Sequence, residues 1–126
     1  MGVWHRKSGR RPTGAKVKQF RSKRKWEMGR TPTETLLGEP KRRTIDSKGV
    51  HNKKRPVMRV KEVNITDPKK NQTFRVEIQD VEKNPSNTDY QRRKVITRGT
   101  IIKTAKGRAK VTSRPGQDGI LNAVLI

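Results

Sequence analysis

Positive charge is concentrated in residues 10–30, which hold nine Lys or Arg side chains and one acid, Glu27. A segment of this composition has too few apolar side chains to build a hydrophobic core of its own. Its aromatic residues, Phe20 and Trp26, stand between cations and not in an apolar stripe. That pattern suits contact with phosphates, sugars and exposed bases better than insertion into a membrane. The segment therefore predicts binding to a polyanion.

The whole chain shares this bias. Its 126 residues include 33 Lys or Arg against 11 Asp or Glu, a formal net charge of +22, and only 28% of them are apolar. The length fits one small domain, but the core must be smaller than the length alone would allow. A charge of this size makes a free globule repel itself and concentrates it on nucleic acid.

Several classes of protein are disfavoured by what the sequence lacks. It has no Cys, so disulfides and thiolate metal sites are excluded, and His5 and His51 are too isolated to form a metal site. No apolar run approaches the length of a membrane span, and no signal peptide is apparent. Catalytic motifs such as a nucleophile elbow or a phosphate-binding loop are also missing. We expect a cytoplasmic protein that is not an enzyme and has no cofactor, metal or small-molecule substrate.

A change in composition near residue 55 divides the chain. Residues 1–55 hold 18 Lys or Arg and 4 acids, whereas residues 56–126 hold 15 and 7. Only the second part shows the alternation of apolar and polar residues that is typical of strands. We therefore predict a long, mostly irregular basic arm over residues 1–55 that binds RNA, followed by a folded body over residues 56–126.

Local signals in the sequence predict elements of the body and of its junction with the arm. Thr31–Glu34 reads as a capping box with Pro at the first helical position, which predicts one short helical turn. Phe74, Val76 and Ile78 alternate with polar residues as in a strand. Lys106-Gly107 divides two strand-like runs and predicts a hairpin.

Two further segments complete this interpretation. Arg93–Thr97 is a short β-branched run that predicts a strand, and Pro115-Gly116 fits the centre of a type II turn. About six short strands with turns at regular spacing, and no long helical period, predict a mainly β fold. The expected fold is a small antiparallel β-barrel carrying the basic arm.

The candidate RNA contacts are cations and the aromatic residues among them. Body arginines beside turns are included because the arginine fork can hold two phosphate oxygens while turn N–H groups meet others. Burial against the body is the alternative for Trp26, since Met28 lies nearby. The candidates are Trp4, His5, Arg6, Lys7, Arg10, Arg11, Lys16, Lys18, Phe20, Arg21, Lys23, Arg24, Lys25, Trp26, Arg30, Lys41, Arg42, Arg43, Lys53, Lys54, Arg55, Arg92, Arg93, Arg98 and Arg114.

Three stretches of this sequence resemble a known family. They are the arm pattern with Thr13-Gly14-Ala15 and Glu27-Met28-Gly29-Arg30, the segment Asn84–Arg93, and the segment Val111–Gly119. Together they resemble the small-subunit ribosomal protein family S8e of archaea and eukaryotes, and the length is similar to that of archaeal members. Ala15 departs from the second Gly that many members have there.

The resemblance implies a β-barrel body with an extended basic arm. It further implies a structural role on the ribosome, bound to small-subunit ribosomal RNA beside neighbouring small-subunit proteins. A DNA-compacting chromatin protein would share the charge, and an RNA chaperone or translation factor would share a small barrel with a basic arm. Composition does not separate these alternatives, and the full-length resemblance favours the ribosomal component.

Overall fold

The computed structural model describes residues 3–5, 7–47, 49 and 51–126. Arg6, one of the candidate RNA contacts, lies outside the described residues. The chain divides into two compact units, Met1–Pro32 and Thr33–Ile126. Each unit has strands of its own.

The first unit contains one small antiparallel pair of strands. Strand β1 (Val3–Trp4) pairs with β2 (Met28–Gly29), and a 3-10 turn over Lys25–Glu27 leads directly into β2. Gly29 permits this arrangement because the ring of His5 occupies the position that a Cβ at residue 29 would take. None of the described residues of this unit is buried, and residues 7–20 are all exposed.

The second unit contains the remaining strands, most of them short. Its two helices are each about one turn long, α1 (Thr88–Arg92) and α2 (Pro115–Asp118). The strands, in chain order, are β3 (Leu36–Leu37), β4 (Lys41–Arg42), β5 (Ile45–Asp46), β6 (Lys53–Lys54), β7 (Val57–Val60), β8 (Glu62–Asp67), β9 (Gln72–Lys83), β10 (Ile101–Thr104), β11 (Gly107–Val111) and β12 (Asn122–Leu125).

Within the described chain, five of these strands close into a barrel in the order β10–β11–β12–β8–β9. Four of the pairings are antiparallel, and that of β12 with β8 is parallel. Closure removes the free strand edges that an open sheet would expose to other chains. The mainly β fold and the small barrel predicted from the sequence are confirmed, with one parallel step that alternation alone does not reveal.

Alternating apolar residues of the barrel strands form the core. Val63 and Ile65 of β8, Ile102 of β10 and Val111 of β11 are at most 1% exposed. These β-branched side chains pack well on a pleated surface that is buried on one face. Phe74 of β9, which the alternation placed toward the interior, is only half-buried, and Lys106 lies over its ring at 4.4 Å from the centroid.

A bulge in β9 bends the barrel wall. Ile78 and Val81 are both buried, although residues three apart in a regular strand face opposite sides. The pairing with β10 uses Val81, Asp80 and then Ile78, so that Gln79 is skipped. An extra residue of this kind bends and twists a strand, and here it turns both apolar side chains inward.

The helical turn predicted over Thr31–Glu34 is wrong, because tertiary hydrogen bonds hold this segment extended. The buried hydroxyl of Thr35 donates to the carbonyl of Val57 at 2.7 Å, and the N–H of Ile96 donates to the carbonyl of Thr35 at 2.8 Å. Strand β3 follows immediately and pairs in parallel with β7. Capping signals are weak next to such contacts.

The strand predicted over Arg93–Thr97 is also wrong. This segment lies in a loop whose backbone is held by the side chain of Asn84, which donates to the carbonyl of Val95 at 2.8 Å and accepts from the hydroxyl of Thr97 at 3.2 Å. Lys94 has a φ of 53°, and a left-handed residue interrupts an extended strand.

The type II turn predicted at Pro115-Gly116 is replaced by helix α2, in which Pro115 takes the first position and Gly119 ends the helix with a φ of 82°. Pro is tolerated at that first position because its missing N–H would have no partner there. A Cβ at Gly119 would lie 3.0 Å from the carbonyl oxygen of Arg55. The close approach of these two backbones therefore requires glycine at residue 119.

Residues between Thr33 and Arg55 form small sheets in the second unit. Strand β7 pairs with β3 on one side and with β4 on the other, while β5 and β6 form a separate antiparallel pair. The change in composition at residue 55 and the start of the second compact unit at Thr33 therefore do not coincide. Two-residue strands have no periodicity by which a sequence could reveal them.

One ion pair fastens the extended segment before β3 to helix α1. The guanidinium of Arg93 donates to both carboxylate oxygens of Glu34, at 2.6 and 2.7 Å, and also to Asp89 at 3.0 Å. The hydrogen bond from Arg93 holds the pKa of Glu34 below its ordinary value of 4.5, and Glu34 in turn raises the pKa of Arg93.

Ile102→Ala should lower the free energy of unfolding by about 2–5 kcal/mol, because it leaves a cavity at a side chain that is 0% exposed. Ile126→Ala is the matched control, since that side chain is 76% exposed and the change should cost less than about 0.5 kcal/mol. Denaturant unfolding of the two variants measures both. Equal losses would place Ile102 outside the core.

Acid should weaken the Glu34–Arg93 pair. A folded-state pKa below the ordinary value means that the stabilisation is fully present above pH 4.5 and is lost as the pH falls through the lowered pKa. Glu34→Gln should therefore lower the melting temperature at neutral pH. In this variant the melting temperature should also fall less steeply as the pH drops below 4.5. Glu39→Gln, at a carboxylate without an ion pair in the described structure, is the control. If the melting temperature of Glu34→Gln fell in acid as steeply as that of the parent chain, the prediction would be contradicted.

Candidate nucleic-acid interface

Four cations on or beside the barrel wall are neutralised by carboxylates. Lys94 pairs with Asp80 at 2.6 Å and Arg108 with Glu82 at 2.9 Å, and two further pairs join Lys61 to Glu77 and Arg75 to Glu62. The hydrogen bond from Lys94 lowers the pKa of Asp80, and the hydrogen bond to Glu77 raises the pKa of Lys61. Exposed pairs of this kind add little stability. Their effect is to cancel charge locally, at the positions of the pairs.

Like charges opposed across these barrel strands have compensating partners. Glu62 stands opposite Glu77 on β8 and β9, and each carboxylate has its own cation. Lys103 stands opposite Arg108 on β10 and β11; Arg108 pairs with Glu82, and the charge of Lys103 helps to lower the pKa of Asp80. Opposed like charges would otherwise destabilise the pairing.

The sheet of β3, β7 and β4 lacks this compensation. Lys41 of β4 stands directly opposite Arg59 of β7, and Arg42 follows on β4. All three side chains are exposed, and none has a carboxylate partner among the described residues. Glu39, the nearest acid in sequence, acts instead on Lys61, whose pKa it helps to raise. We call Lys41, Arg42 and Arg59 the cationic cluster.

Arg59 was missed by the sequence interpretation, because it stands alone between apolar residues of a strand. Lys41 and Arg42 were recognised only as part of a basic run. The strand register brings these three cations together, and repulsion between them is relieved when an anion binds. No signal in the sequence marks the cluster, since its members are up to 18 positions apart in the chain.

The remaining body candidates lie at turns and short elements. Arg93 is occupied by Glu34 and Asp89, whereas Arg92, at the end of α1, and Arg98, beside Gly99, are exposed. Other exposed candidates lie around the small sheets and α2. Arg43 follows β4, Lys53 and Lys54 form β6, Arg114 precedes α2, and Arg55 packs its backbone against Gly119 beyond the other end of α2.

In the first unit, cations already cover the two indole rings. The Lys23 ammonium lies 5.2 Å from the centroid of the Trp4 ring, and the Arg21 guanidinium lies 5.3 Å from that of Trp26. Arg21 also donates to Glu27 at 2.5 Å, so this acid is an internal partner of a cation. Phe20 differs from both tryptophans, because its side chain is 96% exposed.

The other candidates of the first unit are exposed cations, with His5 packed against Gly29 as described above. Arg10 has a local role as well, since its guanidinium donates to the carbonyl of Gly14 at 2.9 Å and its backbone forms a bridge with Lys16. These interactions close a short turn whose cations point to solvent. The exposed set comprises His5, Lys7, Arg10, Arg11, Lys16, Lys18, Arg24, Lys25 and Arg30.

Neither a metal site nor a membrane-spanning helix is found in the described part of the chain. Its His and acidic side chains form no group of three or more that would hold a metal ion. No helix in the same residues is long and apolar enough to cross a membrane.

Comparison with known proteins places these features in a family. The family model described as Ribosomal protein S8e matches residues 4–126. A protein of Methanosarcina barkeri named small ribosomal subunit protein eS8 is 46% identical over 123 residues, 98% of each chain. Proteins of the same name from Methanosphaera stadtmanae and Methanococcus aeolicus are 42% and 46% identical over 126 residues, all of this chain and 99% and 98% of theirs. The chain therefore belongs to the S8e family of small-subunit ribosomal proteins and, as the sequence indicated, is not an enzyme.

Proposed function

We propose that the chain binds small-subunit ribosomal RNA and acts as a structural component of the cytoplasmic ribosome, where neighbouring small-subunit proteins adjoin it. Residues 1–55 are the main RNA-binding segment, and residues 56–126 are the barrel body that supports it. The observation that carries the proposal is how few cations of residues 1–55 pair with a carboxylate of the chain itself. Among the described cations of residues 1–55, Arg21 is the one paired with a carboxylate, so most of that segment's charge is available to phosphates.

Phosphate contacts supply affinity and fix orientation, whereas exposed bases supply selectivity. The cationic cluster and the arginines beside turns suit phosphates, because a guanidinium can hold two oxygens at once. Phe20 suits a base, because its ring is open to solvent in a segment rich in cations. Arg93 is the weakest of the candidates, since a phosphate must compete with Glu34 and Asp89 for its guanidinium.

Membership of the family favours this function over a chromatin protein or a translation factor. The related proteins are named as small ribosomal subunit proteins, and this chain matches them over nearly their full length. A structural component should remain on the subunit in moderately high salt, whereas a factor should be released.

The cationic cluster should contribute measurably to the salt dependence of RNA binding. We expect the combined change Lys41→Gln, Arg42→Gln and Arg59→Gln to reduce the slope of log K against log salt by about 2 to 3, since each phosphate contact contributes about 0.7–0.9. The matched control is Arg75→Gln, Lys94→Gln and Arg108→Gln, which removes the same charge from cations that already have carboxylates.

The control should change the slope by less than about 1 unit. The measurement is titration of small-subunit ribosomal RNA at several salt concentrations, with melting curves to show that both variants fold. Equal loss of slope in the two variants would mean that net charge alone governs binding. A nearly flat slope for the parent chain would overturn the proposed function itself.

Phe20 should stack on an unpaired base. With 4-fluorophenylalanine in place of both phenylalanines, the fluorine signal of residue 20 should move upfield when an RNA containing an unpaired loop is added, because a stacked base shields the ring. A fully paired duplex of equal length should move it less. Phe74, half-buried under Lys106, serves as the internal control, and Phe20→Leu assigns the signals. An equal response to loop and duplex would contradict base stacking.

A further inference from the structure

A groove in the second unit combines an apolar floor with a cationic rim. Its volume is about 300 Å³, at the lower end of the range of small-ligand pockets. The floor includes the buried side chains of Val57 and Leu121, and Ile120 beside them is 45% exposed. Arg42 and Arg59, two members of the cationic cluster, also line it. A ligand that matches both features has a flat apolar body and an anionic group.

The strands around the groove restrict what can occupy it. An extended peptide usually binds such a site by adding a strand to a free sheet edge. Strand β7 is already paired with β3 and β4, and β8 is already paired with β12 and β9. Strand addition is therefore closed at β7 and β8 and is left, among the strands at the groove, to the outer edge of β4, whereas a compact ligand needs no free edge.

The rim arginines favour a nucleotide over other compact anions. Their guanidinium groups have no carboxylate partner in the described structure, so a phosphate meets no internal competitor there. A guanidinium plane can also stack on a nucleobase. The other two cations in the lining, Lys61 and Arg75, are held by Glu77 and Glu62, so the free positive charge lies on the Arg42 and Arg59 side.

We propose that this groove holds a single nucleotide turned out of an RNA strand, with its base on Ile120 and Val57 and its phosphate on Arg42 and Arg59. The inference rests on the proposed RNA binding and extends it, since it gives the body a pocket that discriminates an unpaired nucleotide from a paired one. Turning a nucleotide out costs least where it is already unpaired.

Methyl NMR of the full-length protein, with labelled isoleucine, tests the groove with small probes. Adenosine monophosphate should shift the Ile120 signals saturably. Ribose 5-phosphate, which lacks the base, and adenosine, which lacks the phosphate, should each bind at least about tenfold more weakly, since tenfold corresponds to about 1.4 kcal/mol. Ile126, exposed on another part of the second unit, should not respond, and Ile65 and Ile102 report that the core is intact.

Two variants separate the parts of the site. Arg59→Gln should weaken the binding of adenosine monophosphate to near the affinity of adenosine. Arg108→Gln, at a cation paired with Glu82, is the control. It should leave the affinity for adenosine monophosphate within about twofold of that of the parent chain, a change well under 1 kcal/mol. Ile120→Ser should weaken adenosine and adenosine monophosphate together. Unchanged core signals in each variant exclude unfolding as the cause.

Three results would overturn the inference. Ile120 signals that do not respond to adenosine monophosphate would show that the groove takes no nucleotide. Equal binding of ribose 5-phosphate would show a phosphate site without a base. Tighter binding of a capped Asp-Leu-Asp peptide would assign the groove to an acidic protein segment. Salt-dependent binding to ribosomal RNA would survive all three, so these failures are distinguishable from failure of the proposed function.

Discussion

Repulsion between like charges is the constraint on which this structure depends. With a formal net charge of +22 in 126 residues, cations must either be matched by the few acids or remain exposed to outside anions. The barrel wall uses its acids in pairs such as Lys94–Asp80 and Arg108–Glu82. The β-barrel is thus stabilised by apolar packing with part of its surface charge cancelled, while the residues before it keep most of theirs.

Much of the barrel was predictable because its strands are long enough to show a period. The alternation around Ile78 and the glycine of the hairpin at Gly107 predicted β9, β10 and β11. The parallel pairing of β12 with β8 was not predictable, since it joins residues such as Asn64 and Asn122 that are 58 positions apart. Contacts at that separation leave no local signal.

Two of the wrong predictions, at Thr31–Glu34 and Arg93–Thr97, share a different cause: buried polar side chains determine the backbone there. Thr35 and Asn84, each at most 3% exposed, satisfy backbone groups of distant segments and so override capping and β-propensity. Of the candidate site, the sequence indicated which segments are basic. It did not distinguish a cation held internally, such as Arg93, from one left free, such as Arg59, because that difference depends on the partner brought opposite it by the fold.

The parallel closure also affects how the chain folds as it is synthesised. Strand β8 is made before β12, yet the two lie side by side in the finished barrel. Because synthesis proceeds from the amino terminus at about 5–20 residues per second, Val63 and Ile65 leave the translating ribosome several seconds before Ala123 can cover their strand. During that interval the basic residues of the first unit are already outside the exit tunnel. The chain is thus able to engage RNA before its own core is complete.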